Sequence, residues 1–381
     1  MKAVLALSLV LLCLLPTHAR AAEVDITAPS AILMEKSTGE VLFEQDAHAV
    51  YEPASVTKVM TLLLVMEAID AGTLCWDDVI TASPYACSMG GSQIWLKEGE
   101  QLTVSEMVKA VAVASANDCA VALAEAVSGS ETAFVQRMNE RAKELGMEST
   151  VFCNCTGLPA EGHVSSAYDI ALMSRELILN HPQLREYTTI WMDTLRDGAF
   201  QLTNTNRLIY SYPGATGLKT GSTDTALYCL SATAERDGME LIAVVMHVAT
   251  PSDRFDSAAA LLNYGFANYS LTQVYPEQVL PPISVLLGEQ DTVQPVLDHD
   301  CTILTHQSQS AAVTTQVHLP EEVSAPVEEG QKLGEMIVYL DGEEHERVDL
   351  VASTGVARLT VWGIFQQLLD TLLFLPTHAI E

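Results

Sequence analysis

Basic residues are scarce: 19 Lys and Arg stand against 49 Asp and Glu in 381 residues, a formal net charge of −30. Nucleic-acid phosphates are met mainly by Lys and Arg, so nucleic acid is excluded as a partner. The deficit deepens towards the end, where residues 275–381 hold 17 acids and only three bases, Lys332, Arg347 and Arg358. Such an excess serves solubility. The eight cysteines lie at scattered spacings, which is not a disulfide framework. "CNC" at 153–155 lacks a second pair, or histidines at zinc-finger spacing, which argues against a metal site. Buried free thiols are the expectation. HExxH, the P-loop and the Rossmann glycine pattern are all missing, and neither metal nor cofactor is expected.

The first apolar run, Ala3 to Leu15, is broken by Pro16 and His18 and falls short of the ~20 residues a bilayer span needs. Lys2 before it and Ala19-Arg20-Ala21 after it give the layout of a secretory signal. Residues 1–21 are therefore expected to direct export and then be removed, leaving seven cysteines.

Beyond them, "AILMEKSTGEVLFEQ" (31–45) reads as two strands turned at Ser37-Thr38-Gly39. Residues 54–70 read as a helix stopped at Gly72. Two more helical stretches meet at the polar corner 116–118, and amphipathic helices cover 131–147, 165–181 and 252–269. Residues 218–248 read as two β-rich runs around Asp237-Gly238. Strands at both ends with helices between predict an α/β (α+β) fold, an antiparallel sheet with covered faces. From about residue 275 short β-type runs, prolines and acids predict a separate small all-β domain, with a turn at Asp341-Gly342.

The tail "RLTVWGIFQQLLDTLLFLP" (358–376) places Val361, Trp362, Phe365, Leu368 and Leu372 on one helical side and Gln366, Gln367 and Asp370 on the other. That pattern suits a helix lying in a membrane interface, or one docked on its own protein; the shortage of bases counts against anionic lipid.

The chemistry begins at "EPASVTKVMT" (52–61), where Lys58 sits in apolar company three positions after Ser55. Lysine is rarely buried unless paired, and positions i and i+3 share a helix face. A desolvated lysine has a lowered pKa and can take the proton from a serine nucleophile. One S-x-x-K proves little, but "SAN" (Ser115, Ala116, Asn117) at the helix corner and "KTG" (Lys219, Thr220, Gly221) opening a strand complete a three-part signature.

With these motifs, "MGGSQIWLKEGEQLTV", "TGLPAEGHVSSAYDIALMSRELI" and "GATGLKTGSTDTALYCLSATAERDGMELIAVVM" resemble the serine D-alanyl-D-alanine carboxypeptidases among the low-molecular-weight penicillin-binding proteins, over roughly residues 28–270. The resemblance implies a β-lactamase/transpeptidase-like fold and a domain plan. A signal (1–21) would precede the peptidase domain (22–272), a β-sandwich-like domain (273–354) and an amphipathic membrane anchor (355–381). It implies an exported enzyme at the outer face of the cytoplasmic membrane or in the cell wall. Its substrate would be peptidoglycan stems ending in D-Ala-D-Ala, with β-lactams as covalent inhibitors. It implies Ser55 as nucleophile, Lys58 as base and Ser115 as proton carrier. Asn117, Lys219, Thr220 and Arg254 would hold substrate, beside the Gly221 backbone, and the Ser55 and Ser222 N–H groups would form the oxyanion hole.

The sequence departs from the family where Cys155 replaces the Asn-Pro that often precedes "GL", which predicts a looser loop. Glu176-Leu177-Ile178-Leu179-Asn180 matches the deacylating E-x-x-L-N of class A β-lactamases, but it ends an amphipathic helix and lies 43 residues before Lys219, so Glu176 is read as an exposed helix residue. A β-lactamase or esterase on the same scaffold, and a non-catalytic wall-binding relative, are the alternatives.

Overall fold

The computed structural model describes residues 24–307, 312–365 and 369. The signal segment and most of the C-terminal helix expectation lie outside the described residues. Two compact units divide at Ala267/Asn268.

In the first unit the hairpin β1 (Ser30–Glu35) and β2 (Val41–Gln45) turns over Gly39, as its Ser-Thr-Gly signal predicts. The sheet continues through β3 (Ala215–Thr223), β4 (Leu227–Arg236) and β5 (Met239–Val248) in the order β2-β1-β5-β4-β3, all antiparallel. The 218–248 region thus belongs to three strands, not two. The turn between β3 and β4 carries no Gly or Pro; the Thr223 hydroxyl accepts the N–H of Ala226 (2.9 Å), and Leu227 takes φ 54°.

Alternation sorts the strands' side chains. Ile32, Met34, Ile242, Val244 and Met246 join the helical core, whereas Leu33 and Leu241 meet Gly265 of the helix α6 (Pro251–Asn268) on the other face. A sheet covered on both faces reads as continuous apolar strands, which is the pattern of β5.

The central helix α1 (Lys58–Asp70) is buried on every side from Lys58 to Met66, as a helix with apolar residues all round must be. Around it lie α2 (Val104–Ala114), α3 (Asn117–Ser128), α4 (Glu131–Glu144) and α5 (Ala167–Asn180). α2 opens with a capping box of Thr103 and Glu106. It stops at Ser115, whose left-handed backbone (φ 61°, ψ 31°) turns the chain into α3. Two small hairpins pair Val79–Thr81 with Gln101–Thr103 and Met192–Leu195 with Phe200–Thr203.

The second unit is all-β in its described strands. Tyr269–Val274 pairs with Cys301–His306, a three-stranded sheet centres on Ile283–Leu286, and a four-stranded sheet is built on Lys332–Leu340 and Glu343–Ala352. Asp341-Gly342 turns the last pair, as predicted. Of the C-terminal helix, 361–365 are helical, with Trp362 and Phe365 stacked. Among the described residues no helix is long and apolar enough to cross a membrane.

Candidate active site

Ser55 does not open an α-helix. Ala54 has φ 47°, so the chain enters through a 3₁₀ turn, Ala54–Thr57, which becomes α-helical only at Lys58. In such a turn i and i+3 eclipse, and Lys58 Nζ donates to Ser55 Oγ at 3.0 Å. A second bond runs from Nζ to the Thr156 carbonyl at 2.7 Å. Lys58 is wholly buried, and burial brings its pKa down to about 7.

Edge strand β3 passes close by. A Cβ on Gly221 would stand 2.7 Å from the Pro53 carbonyl oxygen and 3.0 Å from the backbone nitrogens of Ser55 and Val56. Only a residue without a side chain lets the strand come so near. Lys219 is buried and donates to the Thr220 carbonyl (3.0 Å). Burial, then the charges of Lys58 and Arg254, hold its pKa well below the usual lysine value. Thr220 Oγ1 donates to Thr205 Oγ1 (2.7 Å). Arg254, on α6, donates to the carbonyls of Gly221 (3.1 Å) and Cys229 (3.4 Å) and lies over the Tyr228 and Phe255 rings. Burial lowers its pKa to about 10.

From the helix corner, Asn117 Nδ2 donates to the Gly90 carbonyl (2.7 Å). The buried Ser115 Oγ and Asn117 Oδ1 have no hydrogen-bond partner within the described protein. Ser55, Ser115, Thr220, Gly221, Ser222 and Arg254 line one cavity of about 430 Å³. The structure therefore brings the sequence-predicted residues together, with Lys58 on Ser55 and Asn117 beside Ser115. Thr205, Arg207, Trp191 and Ser92 also line it and were not legible in the sequence. Among the described residues, those lining it include no carboxylate.

Three readings need correction. The loop after Cys153 is not loosened by Cys155, because the Asn154 carboxamide accepts the N–H of Thr156 (3.1 Å) and Gly157 (2.7 Å) and donates to the Leu158 carbonyl (2.9 Å). Glu176 is half-buried rather than exposed, and pairs with Arg141, which also binds Glu67. Cys75 and Cys153 are exposed, while Cys119, Cys155, Cys229 and Cys301 are buried free thiols. Among the described residues no cluster of His, Cys, Asp and Glu is placed to hold a metal ion.

A hydroxyl held on a buried lysine of lowered pKa, beside the edge strand of a sheet and two further buried basic groups, defines a serine acyl-transfer enzyme. The family described as D-alanyl-D-alanine carboxypeptidase matches residues 17–250, and the C-terminal domain of penicillin-binding protein 5 matches residues 269–358. This chain belongs to the D-alanyl-D-alanine carboxypeptidase family. It is 43% identical over 329 residues to the D-alanyl-D-alanine carboxypeptidase DacF of Bacillus subtilis, covering 85% of this chain and 84% of that one. It resembles the crystal structure of a peptidoglycan synthesis regulatory factor (PBP3) of Streptococcus pneumoniae with TM-score 0.74 and 29% identity, over 87% of this chain and all of the other. Penicillin-binding protein D2 of Listeria monocytogenes, in its ampicillin-bound form, matches at TM-score 0.59 and 35% identity, over 64% of this chain and 99% of its own.

Proposed function

We propose that the D-alanyl-D-alanine carboxypeptidase activity of this chain runs through an acyl-enzyme on Ser55, with the remaining residues in the following roles. Ser55 Oγ attacks the carbonyl between the two terminal D-alanines while its proton passes to Lys58 Nζ. The bond to the terminal D-alanine breaks, and Ser115 Oγ delivers a proton to the departing amine, replaced by the proton that Lys58 Nζ took from Ser55. Water then hydrolyses the ester, freeing the shortened stem and Ser55. The backbone N–H groups of Ser55 and Ser222 stabilise the oxyanion, where one donor is commonly worth about 3–4 kcal/mol. Thr220 and Arg254 receive the terminal carboxylate, Lys219 supplies positive potential, and Asn117 bonds the substrate backbone.

One observation carries this reading: a wholly buried Lys58 with a pKa near 7, 3.0 Å from Ser55 Oγ. Support comes from the hydrogen bonds of Lys219 and Arg254, which run to neutral carbonyl oxygens and leave both groups available to an anionic ligand. Penicillin is attacked in the same way, but its leaving amine stays tethered in the opened product. The cleft lining, without a carboxylate, supports slow deacylation and favours a carboxypeptidase over a β-lactamase. The chain acts outside the cytoplasm, exported by residues 1–21 and held at the membrane by its C-terminal helix.

The test is intact mass after benzylpenicillin, followed by peptide mapping. A stable adduct of one penicillin on Ser55 is expected, absent in Ser55→Ala. Ser55→Ala should stay within about 1–2 kcal/mol of the parent's stability. Acylation retained in that variant would remove Ser55 as nucleophile, and rapid loss of the adduct would favour a β-lactamase.

A further inference from the structure

The loop at residues 90–96 presents a tryptophan to water. Trp95 is 65% exposed and has φ 62°, a left-handed backbone that is an outlier for a bulky residue and strained. An indole in water also forgoes the burial that makes aromatic residues stabilising. The fold enforces both costs. Wholly buried Asp118 accepts the N–H groups on either side, from Ile94 (3.1 Å) and Leu96 (3.0 Å). Arg196 donates to the carbonyls of Ile94 (2.9 Å) and Trp95 (3.4 Å).

The same loop is bolted to the second motif. The Asn117 N–H binds the Ser92 carbonyl at 2.7 Å, and its side chain binds Gly90. Trp95 is therefore held in register with Ser115 and Asn117. Beside it lies a second cavity of about 520 Å³, edged by Lys97, Glu98, Glu100, Arg196 and Phe200. This cavity shares two walls with the catalytic cleft. Ser92 and Ile94 lie on one loop, Thr203 and Phe200 on one hairpin, and the first of each pair faces the cleft while the second faces the new cavity.

The stem peptide is covalently borne on a strand of N-acetylated sugars. Ser92 and Trp95 stand three positions apart, at most about 11 Å between their Cα atoms, and an extended five-residue stem spans about 17 Å. We infer that Trp95 and this second cavity form a sugar subsite, which takes an N-acetylated hexose of the strand carrying the stem. The indole gives the apolar face of the pyranose a rigid platform, and Lys97 and Glu98 at the rim offer hydrogen bonds to its hydroxyl and acetamide groups. The inference rests on the carboxypeptidase reading for the identity of the substrate.

The full chain is assayed for D-alanine release from a free pentapeptide and from the same pentapeptide on its disaccharide. Wild type should prefer the sugar-bearing substrate about tenfold in kcat/KM, through KM, a difference near 1.4 kcal/mol. Trp95→Ala should erase that preference while leaving the free peptide and penicillin acylation within about twofold, and Trp95→Tyr should keep most of it. Equal efficiency of wild type on both substrates, or an equal loss on both in Trp95→Ala, overturns the subsite. Release from neither substrate sinks the carboxypeptidase reading instead. The subsite is then decided by titrating an N-acetylglucosamine tetramer against indole fluorescence: quenching lost in Trp95→Ala supports it, and no quenching in wild type overturns it.

Discussion

Between the loop after Cys153 and the nucleophile's turn runs a chain of three hydrogen bonds centred on His163. Its Nδ1 accepts the Cys153 N–H (3.0 Å), so the proton sits on Nε2, which donates to Thr57 Oγ1 (2.8 Å). The Thr57 hydroxyl donates to the carbonyl of Ala54 (2.8 Å), the strained residue before Ser55. Burial lowers the His163 pKa to about 4, against a weak opposing pull from Glu52. Below pH 6.5 the unfolded chain takes a proton that the folded chain refuses, so this contribution to stability falls as pH drops from 6.5 towards 4. By pH 5 the loss is about 2 kcal/mol. Urea melts at pH 7 and pH 5 should therefore show the gap between wild type and His163→Gln narrowing at the lower pH; a constant gap would remove His163 as its source. Lys58 works in the opposite chemical sense, because it must lose its proton to act. Penicillin acylation should rise about tenfold per pH unit below 7 and level off above. Lys58→Arg keeps the charge but cannot deprotonate, and should abolish acylation; activity near wild type would make another group the base.

β3 shows at the scale of an element what a sequence reveals and what it hides. K-T-G marks the strand but not its start, since β3 begins at Ala215 rather than Lys219, and periodicity marks α2 to α5, because local pattern and burial agree in them. The β3–β4 turn escaped notice because Thr223 and Leu227 make it without Gly or Pro. The Met192–Leu195 and Phe200–Thr203 strands, four residues each, are too short to show alternation, although Asp197-Gly198 marks their turn. Thr205, Arg207 and Trp191 reach the cleft only through that fold, far along the chain from Ser55, and no spacing rule announces such contacts. The closeness of β3 to Ser55 has a direct test in Gly221→Ala. The added methyl would press on Pro53 and Ser55, costing about 1–3 kcal/mol of stability and slowing acylation by about a hundredfold or more if the oxyanion donors move apart. Acylation kinetics beside a urea melt measure both, and an unchanged acylation rate would show that the strand has room to retreat.

Taken whole, the chain carries a formal charge of −30, while the cleft gathers three buried basic side chains. The acidic second unit offers little to anionic lipid, so the attachment proposed for 358–376 should be mainly hydrophobic and persist at high salt. Flotation of the mature protein on liposomes, with and without residues 356–381, measures it. Equal recovery of both forms in the soluble fraction would make the tail a docked helix, and release by salt alone would reveal an electrostatic contact. Lys58, Lys219 and Arg254 carry a consequence beyond catalysis. Basic groups packed together on neutral oxygens lower one another's hold on a proton, as Lys58 and Arg254 do for Lys219, and an anion in the cleft opposes that effect. Occupancy then governs lifetime: a chain at work on its substrate is harder to unfold, and so harder to degrade, than one standing idle.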